Sequence, residues 1–298
     1  MDGVRGLGHP AFRRLNAAAD WVPVTPSAAA GPPPALPTAL YRPHGDGFVA
    51  TELTIGPWDP GLQHAGPVAA LLAREAERVT AIPDGHTVRL AFDILAPVPV
   101  GPVRVAARLL RPGRRIELVE AVLTAGDSPA DRERPLMRLT AWRMRTSPVE
   151  GTPPAAVPLP GPEDSRPETA AFFTTDVAYH RALDWRFAHG SFNVPGPAAA
   201  WTRPLCTLVE GEPMTPLQHL LVMTDAASGI SAVLDWQRAT FANVDLTVAL
   251  VRPPAGEWLG VDAATTVGPA GAGQCFADLY DASGRIGRSA QALFVETR

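Results

Sequence analysis

Three polar residues in the second half of the chain are of the types that activate water for hydrolysis. Asp225 interrupts the apolar stretch Leu220–Ala227, and a carboxylate there is costly to bury unless it gains partners. Burial would raise its pKa toward the range of a general base. Gln291 alternates with Leu293, which predicts a buried amide able to hold water, and Asn243 adds a second amide. Together they predict a base that takes a proton from a positioned water.

Each of these residues also has a purely structural interpretation. Asp225 can be an ordinary charge on the solvated face of a helix, or a helix-end aspartate close to Gly229. Gln291 can be an amide of an edge strand that faces solvent. Asn243 can form a turn or begin a strand, which is common for asparagine. The pattern alone leaves these alternatives open.

The first half offers a helix start and a cluster of arginines. Gly66 precedes Pro67, and the free N–H groups and dipole of a helix N-terminus favour an oxyanion. A glycine that only permits a tight turn explains the same position equally well, and His64 is expected to be structural. A hairpin tip carries three arginines suited to phosphate groups, although a solvated tip explains them as well. They are Arg111, Arg114 and Arg115.

A helix followed by a set of strands must position these residues, and the sequence pattern predicts this unit twice along the chain. The first half predicts a buried helix with Pro67 in its first turn, and the second half predicts a helix from about Pro216 to Ser228. Four strands follow each helix: Thr87–Leu95, Val103–Leu110, Ile116–Leu123 and Leu136–Met144, then Ala242–Val251, Leu259–Thr266, Gln274–Tyr280 and Gly287–Glu296. One helix followed by an antiparallel sheet, repeated, is an α+β pattern.

Proline-rich segments divide the chain into domains. Residues 1–40 are predicted to be an irregular N-terminal extension, and residues 41–147 form the first domain. Residues 148–170 are predicted to be a linker, because proline at that density cannot continue a helix or an inner strand. Residues 171–298 form the second domain, which carries the candidate site. We expect the sheets of the two domains to join edge to edge, with both helices on the same side.

The order of six short motifs resembles that of the acyl-CoA thioesterase II family. In the first half a turn opens the apolar helix, a strand ends in a proline turn and an arginine-rich loop follows. In the second half the motifs look like the places where that family carries a catalytic aspartate, a small polar residue and a glutamine. The motifs are Gln63–Pro67, Phe92–Pro97, Leu110–Arg115, Met223–Asp225, Phe241–Asp245 and Gly287–Gln291.

This resemblance implies a tandem hotdog fold, in which a curled antiparallel sheet wraps each of two central helices. It implies hydrolysis of an acyl-CoA or acyl-carrier thioester by Asp-activated water, with no cofactor or metal, in a possible homo-oligomer. Asp225, Asn243 and Gln291 would be catalytic. The turn of Gly66 and His64 would bind the oxyanion or substrate and would face the carboxylate of the other domain. The three arginines of the hairpin tip would contact the phosphates of CoA.

Two residues depart from the pattern of that family. Ala65 stands where the first glycine of a Gly-Gly pair is usual, and Asn243 stands where threonine or serine is usual. The alanine would tighten the turn at the helix start. The asparagine keeps a hydrogen-bonding side chain but changes its reach. Both changes bear on catalytic rate and on substrate size.

Composition excludes several other classes of protein. The net charge is −4 with no basic block, so no electrostatic footprint for nucleic acid exists. All 26 basic residues are arginine, which excludes a Schiff-base lysine, a pyridoxal-phosphate site and a P-loop lysine. Cys206 and Cys275 cannot make a disulfide framework, and no apolar run reaches the roughly 18 residues of a membrane span. We therefore expect a cytoplasmic protein.

Two other functions stay open. A hotdog hydratase or dehydratase typically carries a His/Asp or His/Glu pair at the helix start, but Asp59 is the one such carboxylate near His64 in the sequence. A non-catalytic acyl-CoA binder is the other alternative. In the first half, Glu75 is the acid near the position that matches Asp225, and Trp142 lies close to the place that matches the glutamine. We therefore predict one complete site per chain.

Overall fold

The protein is represented by a computed structural model that describes residues 36–126, 134–147, 149–151, 159–173 and 175–298. The strands in these residues are β1 (Ala39–His44), β2 (Gly47–Ala50), β3 (Gly85–Ile94), β4 (Pro102–Arg111), β5 (Ile116–Ala125), β6 (Met137–Arg145), β7 (Arg166–Pro167), β8 (Leu183–Ser191), β9 (Val194–Pro204), β10 (Thr207–Val209), β11 (Ala239–Asn243), β12 (Asp245–Leu250), β13 (Leu259–Val267), β14 (Ala272–Asp281) and β15 (Gly284–Thr297). The helices are α1 (Ala65–Arg78), α2 (Pro216–Thr224) and α3 (Ala227–Ile230).

The described strands form one continuous sheet. Its order is β10-β1-β2-β4-β5-β6-β3-β12-β15-β14-β13-β9-β8-β7, and β11 also pairs with β15. The pairing is antiparallel except between β1 and β10. The two halves join where β3 pairs with β12, in a register that places Asp93 opposite Asp245 and Arg89 opposite Ala249. The predicted edge-to-edge union of the two sheets is therefore confirmed.

Helix α1 is buried on most sides and packs against α2 as well as the sheet. Leu71 and Leu72 are both fully buried, and each such side chain contributes about 1.5–3 kcal/mol relative to an exposed one. The helix begins after His64, and the missing N–H of Pro67 costs little in the first turn. Because the two helices pack against one another, they lie on the same side of the sheet.

Helix α2 is shorter than the sequence predicts. Thr215 and Gln218 form a capping box at its start, with Pro216 in the first turn. The helix ends at Thr224, whose hydroxyl donates to the carbonyl of Leu220 at 2.6 Å. Such a bond competes with regular helix geometry, and the chain turns before α3. The predicted helix to Ser228 is therefore interrupted at Asp225 and Ala226, and Ala227 and Ser228 belong to α3. The turn falls at the candidate catalytic aspartate.

One predicted strand is divided in two. The expected strand Ala242–Val251 breaks at Val244 into β11 and β12, both paired with β15. The backbone N–H of Val244 donates to the carbonyl of Ala292 at 3.0 Å, and the carboxylate of Asp245 accepts from the N–H of Ala292 at 2.6 Å. These bonds fix the kink at the end of β11, where Asn243 lies.

Other parts of the chain add structure that the sequence patterns did not indicate. Strands β1 and β2 precede the first helix, and β8, β9 and β10 precede the second. Residues 1–35 of the predicted extension lie outside the described residues, as do residues 148 and 152–158 of the predicted linker. The described end of the linker holds the short edge strand β7 and Pro160, whose carbonyl accepts from the indole of Trp201 at 2.6 Å. No helix of the described chain is long and apolar enough to cross a membrane.

Candidate active site

The carboxylate of Asp225 lies in the turn between α2 and α3 and is almost completely buried. One of its oxygens, Oδ1, accepts a hydrogen bond from Nδ2 of Asn243 at 2.7 Å. The other, Oδ2, lies 2.8 Å from Nδ1 of His64. A buried carboxylate is stable only when donors satisfy it, and here donors come from both halves of the chain. The prediction of a buried acid therefore fits this structure better than a solvated helix charge.

His64 and Asp225 form a hydrogen-bonded pair across the junction of the two halves. The Nδ1 atom of His64 also lies 3.2 Å from the backbone nitrogen of Gly66, but a ring nitrogen cannot donate and accept at the same time. The 2.8 Å contact with a carboxylate is the shorter and charge-assisted one. We therefore assign the proton to Nδ1, which leaves Nε2 as the lone-pair nitrogen of the neutral ring.

The environment of Asp225 lowers the pKa of its carboxyl below the usual 3.8. Burial acts to raise this pKa. It is outweighed by the charge that His64 carries when its ring is protonated, by the hydrogen bond of His64, and by bonds from Asn243 and the backbone of Gly66. The expectation that burial would raise the pKa toward neutrality is therefore wrong. Asp225 is therefore held as a carboxylate, and its charge fixes the orientation of the donor groups of His64 and Asn243.

Gly66 lets the two helices approach at the site. A Cβ atom on this residue would lie 2.4 Å from the carbonyl oxygen of Val222 in α2, which is closer than atoms can come. The residue has no positive φ, so helix contact rather than backbone conformation requires the glycine. With Nδ1 of His64 protonated, the N–H of Gly66 has Asp225 as its acceptor. An oxyanion role for this N–H stays a prediction, since it already has a partner here.

Asn243 and Gln291 both hold Asp225 directly. Gln291 is buried and donates from Nε2 to the backbone carbonyl of Asp225 at 3.0 Å, with Oδ1 at 3.5 Å. Its Oε1 accepts from the N–H of Ser228 at 3.2 Å. Gln291 thus ties the α2–α3 turn to β15, whereas Asn243 also lines the cavity described below. The structure brings both residues to Asp225, and their role in holding water stays a prediction.

Tyr179 is a site residue that sequence reasoning missed. Its ring stacks on the imidazole of His64, with centroids 3.8 Å apart and planes 3° from parallel. Its hydroxyl donates to the carbonyl of Val222 at 2.6 Å. Burial and the nearby charge of Asp225 raise the pKa of Tyr179 well above its usual value, so the phenol stays a donor. It comes from a 3-10 turn, Tyr179–Arg181, for which no periodic pattern gave a signal.

A cavity of about 460 Å³ opens beside this cluster. Polar residues at one end include His64, Asp225 and Asn243, and the remaining wall is mainly apolar. Such a cavity suits a ligand with an apolar body and one reactive polar group. Within the described residues, no group of three or more His, Cys, Asp or Glu side chains could hold a metal ion.

The arginines of the hairpin tip do not reach this cavity within the chain. Met137 lines the cavity and pairs with Leu123, whereas Met144, seven residues further along β6, pairs with Ile116 beside the tip. At about 3.3 Å per residue this separation is about 23 Å. The structure places Arg111, Arg114 and Arg115 at the far end of the strands. Their contact with CoA stays a prediction that the geometry of a single chain does not favour.

The corresponding place in the first half holds an ion pair. Near the end of α1, Nε of Arg74 lies 2.8 Å from Oε2 of Glu212, and Arg74 also contacts Glu75. Glu212 precedes the start of α2 much as His64 precedes α1. An arginine satisfied by two carboxylates has a structural role.

Comparison with protein families identifies the family of both halves of the chain. Residues 54–144 match the model described as the acyl-CoA thioesterase N-terminal domain, and residues 153–295 match the one described as the acyl-CoA thioesterase C-terminal domain. The chain therefore belongs to the acyl-CoA thioesterase family that these two models describe, and it is an acyl-CoA thioester hydrolase. No curated protein matches the chain in this comparison.

Solved structures show the same α+β fold at low sequence identity. A candidate thioesterase II from Thermobifida fusca is 21% identical with a TM-score of 0.64, over 87% of this chain and 96% of that chain. A conserved protein of unknown function with a hot dog fold, from Alicyclobacillus acidocaldarius, is 17% identical with a TM-score of 0.64, over 87% and 96%. Acyl-CoA thioesterase II TesB2 from Mycobacterium marinum is 15% identical with a TM-score of 0.59, over 78% and 89%.

Proposed function

We propose that the chain hydrolyses acyl-CoA thioesters with water activated by Asp225 and His64 acting as a pair. The observation that carries this proposal is the 2.8 Å contact between their side chains at the end of an apolar cavity. A carboxylate that fixes the tautomer of an imidazole leaves the second ring nitrogen able to accept a proton. The pair thus supplies a base even though the pKa of Asp225 is low.

The reaction needs no group other than water. The water oxygen attacks the thioester carbonyl carbon while its proton moves to Nε2 of His64, and the positive imidazole is stabilised by Asp225. The oxyanion then collapses and expels the CoA thiolate, which takes up the proton as the thiol. Asn243 and Gln291 keep the carboxylate in position, and Tyr179 keeps the imidazole ring in its plane.

We further infer a tandem hotdog architecture with the domain bounds expected from the sequence. Its support is the arrangement of α1 over β4, β5 and β6 and of α2 beside β9 and β13, within one shared sheet. The active site then requires both domains, since His64 comes from residues 41–147 and Asp225 from residues 171–298. We assign acyl-CoA as the substrate, because both family models that match the chain are described as acyl-CoA thioesterase domains.

Steady-state hydrolysis of octanoyl-CoA, followed by release of free thiol, tests the role of the pair. Asp225→Asn keeps the shape of the side chain and removes its charge, so turnover should fall by about 10²–10⁴-fold. The turnover of His64→Gln should fall by a similar factor. Asn243→Thr restores the residue usual in the family and should retain much of the activity.

The matched control is Asp93→Asn, which alters an exposed carboxylate paired with Arg138. It should retain wild-type turnover, and thermal melts should show that all variants are folded. Turnover by Asp225→Asn at the wild-type rate, on the best substrate found, would mean that the assigned site is wrong. If the wild type also released no thiol from any acyl-CoA, the alternative of a non-catalytic binder would gain support.

The same pair supports a second candidate, an enoyl-thioester hydratase or dehydratase. The carboxylate beside His64 is not Asp59, the neighbour in sequence, but Asp225 from the other half. A His/Asp pair at a helix start is the arrangement that such hotdog enzymes need. Incubation with octenoyl-CoA distinguishes the two functions, because hydration removes the enoyl absorbance without releasing thiol, whereas hydrolysis releases thiol.

A further inference from the structure

The cavity beside Asp225 ends in a wall of aromatic rings. Phe, Trp and Tyr supply eight of its 29 lining residues, although they make up only 7% of the chain. The wall is formed chiefly by Trp58, Phe172, Phe173, Trp185, Trp236 and Phe241. These residues come from both halves, so the wall forms only when the two halves are assembled.

The rings contact one another as a continuous surface. The ring centroid of Trp236 lies 4.1 Å from that of Phe172, with planes 9° from parallel. It lies 4.8 Å from Trp58 and 4.5 Å from Phe241. Through Phe192, whose centroid is 6.0 Å from that of Phe172, the surface continues toward Trp185. The stacked and edge-on orientations are those that aromatic groups prefer.

The wall is a surface that faces the cavity rather than filled core, because four of its rings are only partly buried. They are Trp58, Phe172, Phe173 and Trp236. Ligand pockets are commonly lined by such apolar and aromatic side chains.

We propose that the acyl group is aromatic, an arylacyl group whose ring packs among these side chains while its thioester lies at Asp225. This inference rests on the proposed hydrolysis at the same site. A linear alkyl chain gains only from burial of its surface. A ring gains in addition from oriented ring contacts, each worth roughly a 2- to 12-fold change in an equilibrium constant. Because the wall offers several rings, an aryl substrate is favoured over an alkyl chain.

The test compares kcat/KM for phenylacetyl-CoA with those for hexanoyl-CoA and octanoyl-CoA. We expect phenylacetyl-CoA to be at least about 10-fold better than either linear substrate, which corresponds to one or two ring contacts. If the kcat/KM of a linear substrate equals or exceeds that of phenylacetyl-CoA, the inference is overturned and the hydrolase function stays intact. Binding of the same three probes to the Asp225→Asn variant, measured by calorimetry, gives a second readout independent of turnover.

Variants at the wall test the same point from the side of the protein. Trp236→Leu keeps an apolar side chain and removes the stacked ring, so the ratio of phenylacetyl-CoA to octanoyl-CoA kcat/KM should fall by about 10-fold. The matched control is Trp258→Leu, whose ring contacts Arg186 and Arg203 outside the cavity, and it should keep the wild-type ratio. Phe172→Leu serves if Trp236→Leu does not fold. An unchanged ratio in the folded wall variant would contradict the inference.

Discussion

Gly66 lies against the backbone of Val222 so closely that an added methyl group would come within 2.4 Å of the valine carbonyl oxygen. The same carbonyl accepts the hydroxyl of Tyr179. One backbone group of α2 therefore fixes both the start of α1 and the ring that stacks on His64. The distance between His64 and Asp225 depends on this helix contact.

We predict that Gly66→Ala abolishes most of the activity. The methyl group must push α1 from α2, and a shift of about 1 Å at a catalytic pair can cost about 100-fold in rate. Overpacking of this kind also destabilises by about 1–3 kcal/mol. Turnover and urea unfolding measure the two effects. Gly268→Ala is the control, because its nearest added contact is 3.3 Å, at an exposed turn. Full activity in Gly66→Ala would contradict the requirement for this close contact.

Gln291→Ala should lower turnover by about 10-fold, less than Asp225→Asn does. The substitution leaves the base in place but removes the bonds to Ser228 and Asp225, so the α2–α3 turn is held less firmly. The groups left unpaired should cost about 1–3 kcal/mol of stability. Kinetics and denaturant melts test both values. Gln274→Ala, at an exposed position of β14, should change neither, and a loss as large as that of Asp225→Asn would give Gln291 a direct chemical role.

Glu75→Gln tests whether a chain has a single complete site. Its carboxylate contacts Arg74, which keeps its bidentate pairing with Glu212 when Glu75 is neutral. We expect turnover within a few-fold of wild type and little change in the melting temperature. Parallel assays with Asp225→Asn provide the comparison. Equal losses in the two variants would show that the first half is also catalytic.

The stability of the fold should depend on pH through His219. Burial lowers the pKa of this imidazole to about 3 from its usual 6.5, and its Nε2 lies 2.8 Å from the hydroxyl of Thr202. Between these two pH values the unfolded chain binds a proton that the folded protein does not, so stability falls as the pH drops below 6.5. The slope from one such group is at most about 1.4 kcal/mol per pH unit.

Urea unfolding between pH 7 and pH 5 measures this effect. His219→Gln cannot take up the proton, so its stability should fall less over this range than that of the wild type. His44→Gln, at an exposed position, should keep the wild-type slope. Identical slopes in wild type and His219→Gln would contradict a buried neutral histidine.

Much of the fold was accessible from sequence because it follows from local periodicity. The buried helix after Pro67 and the strands of the first domain are found within a few residues of their predicted bounds. The break after Thr224 was not predicted, because the apolar pattern continues into Ala226 and Ala227 and does not mark the turn. The sequence predicts one strand where β11 and β12 are separate, because the kink at Val244 does not interrupt the apolar alternation.

The candidate site could be predicted only in part. Asp225, Asn243 and Gln291 were identified together through the family resemblance, and the structure brings them into contact. The resemblance implied that the turn of Gly66 faces the carboxylate of the other half. The direct contact of His64 with Asp225 was not predicted, because no local pattern encodes the relative placement of elements from different halves. Tyr179 lies in a loop-like segment without periodicity.

The position of the site across the β3–β12 junction has a kinetic consequence. His64 and Asp225 are separated by 161 positions in the chain, whereas hairpins such as β4–β5 and β14–β15 close over short loops. Contacts of long sequence separation form late, because chain entropy must be lost before they are gained. During refolding from urea, circular dichroism should recover with the hairpins, and thiol release from acyl-CoA should return only when the two halves dock.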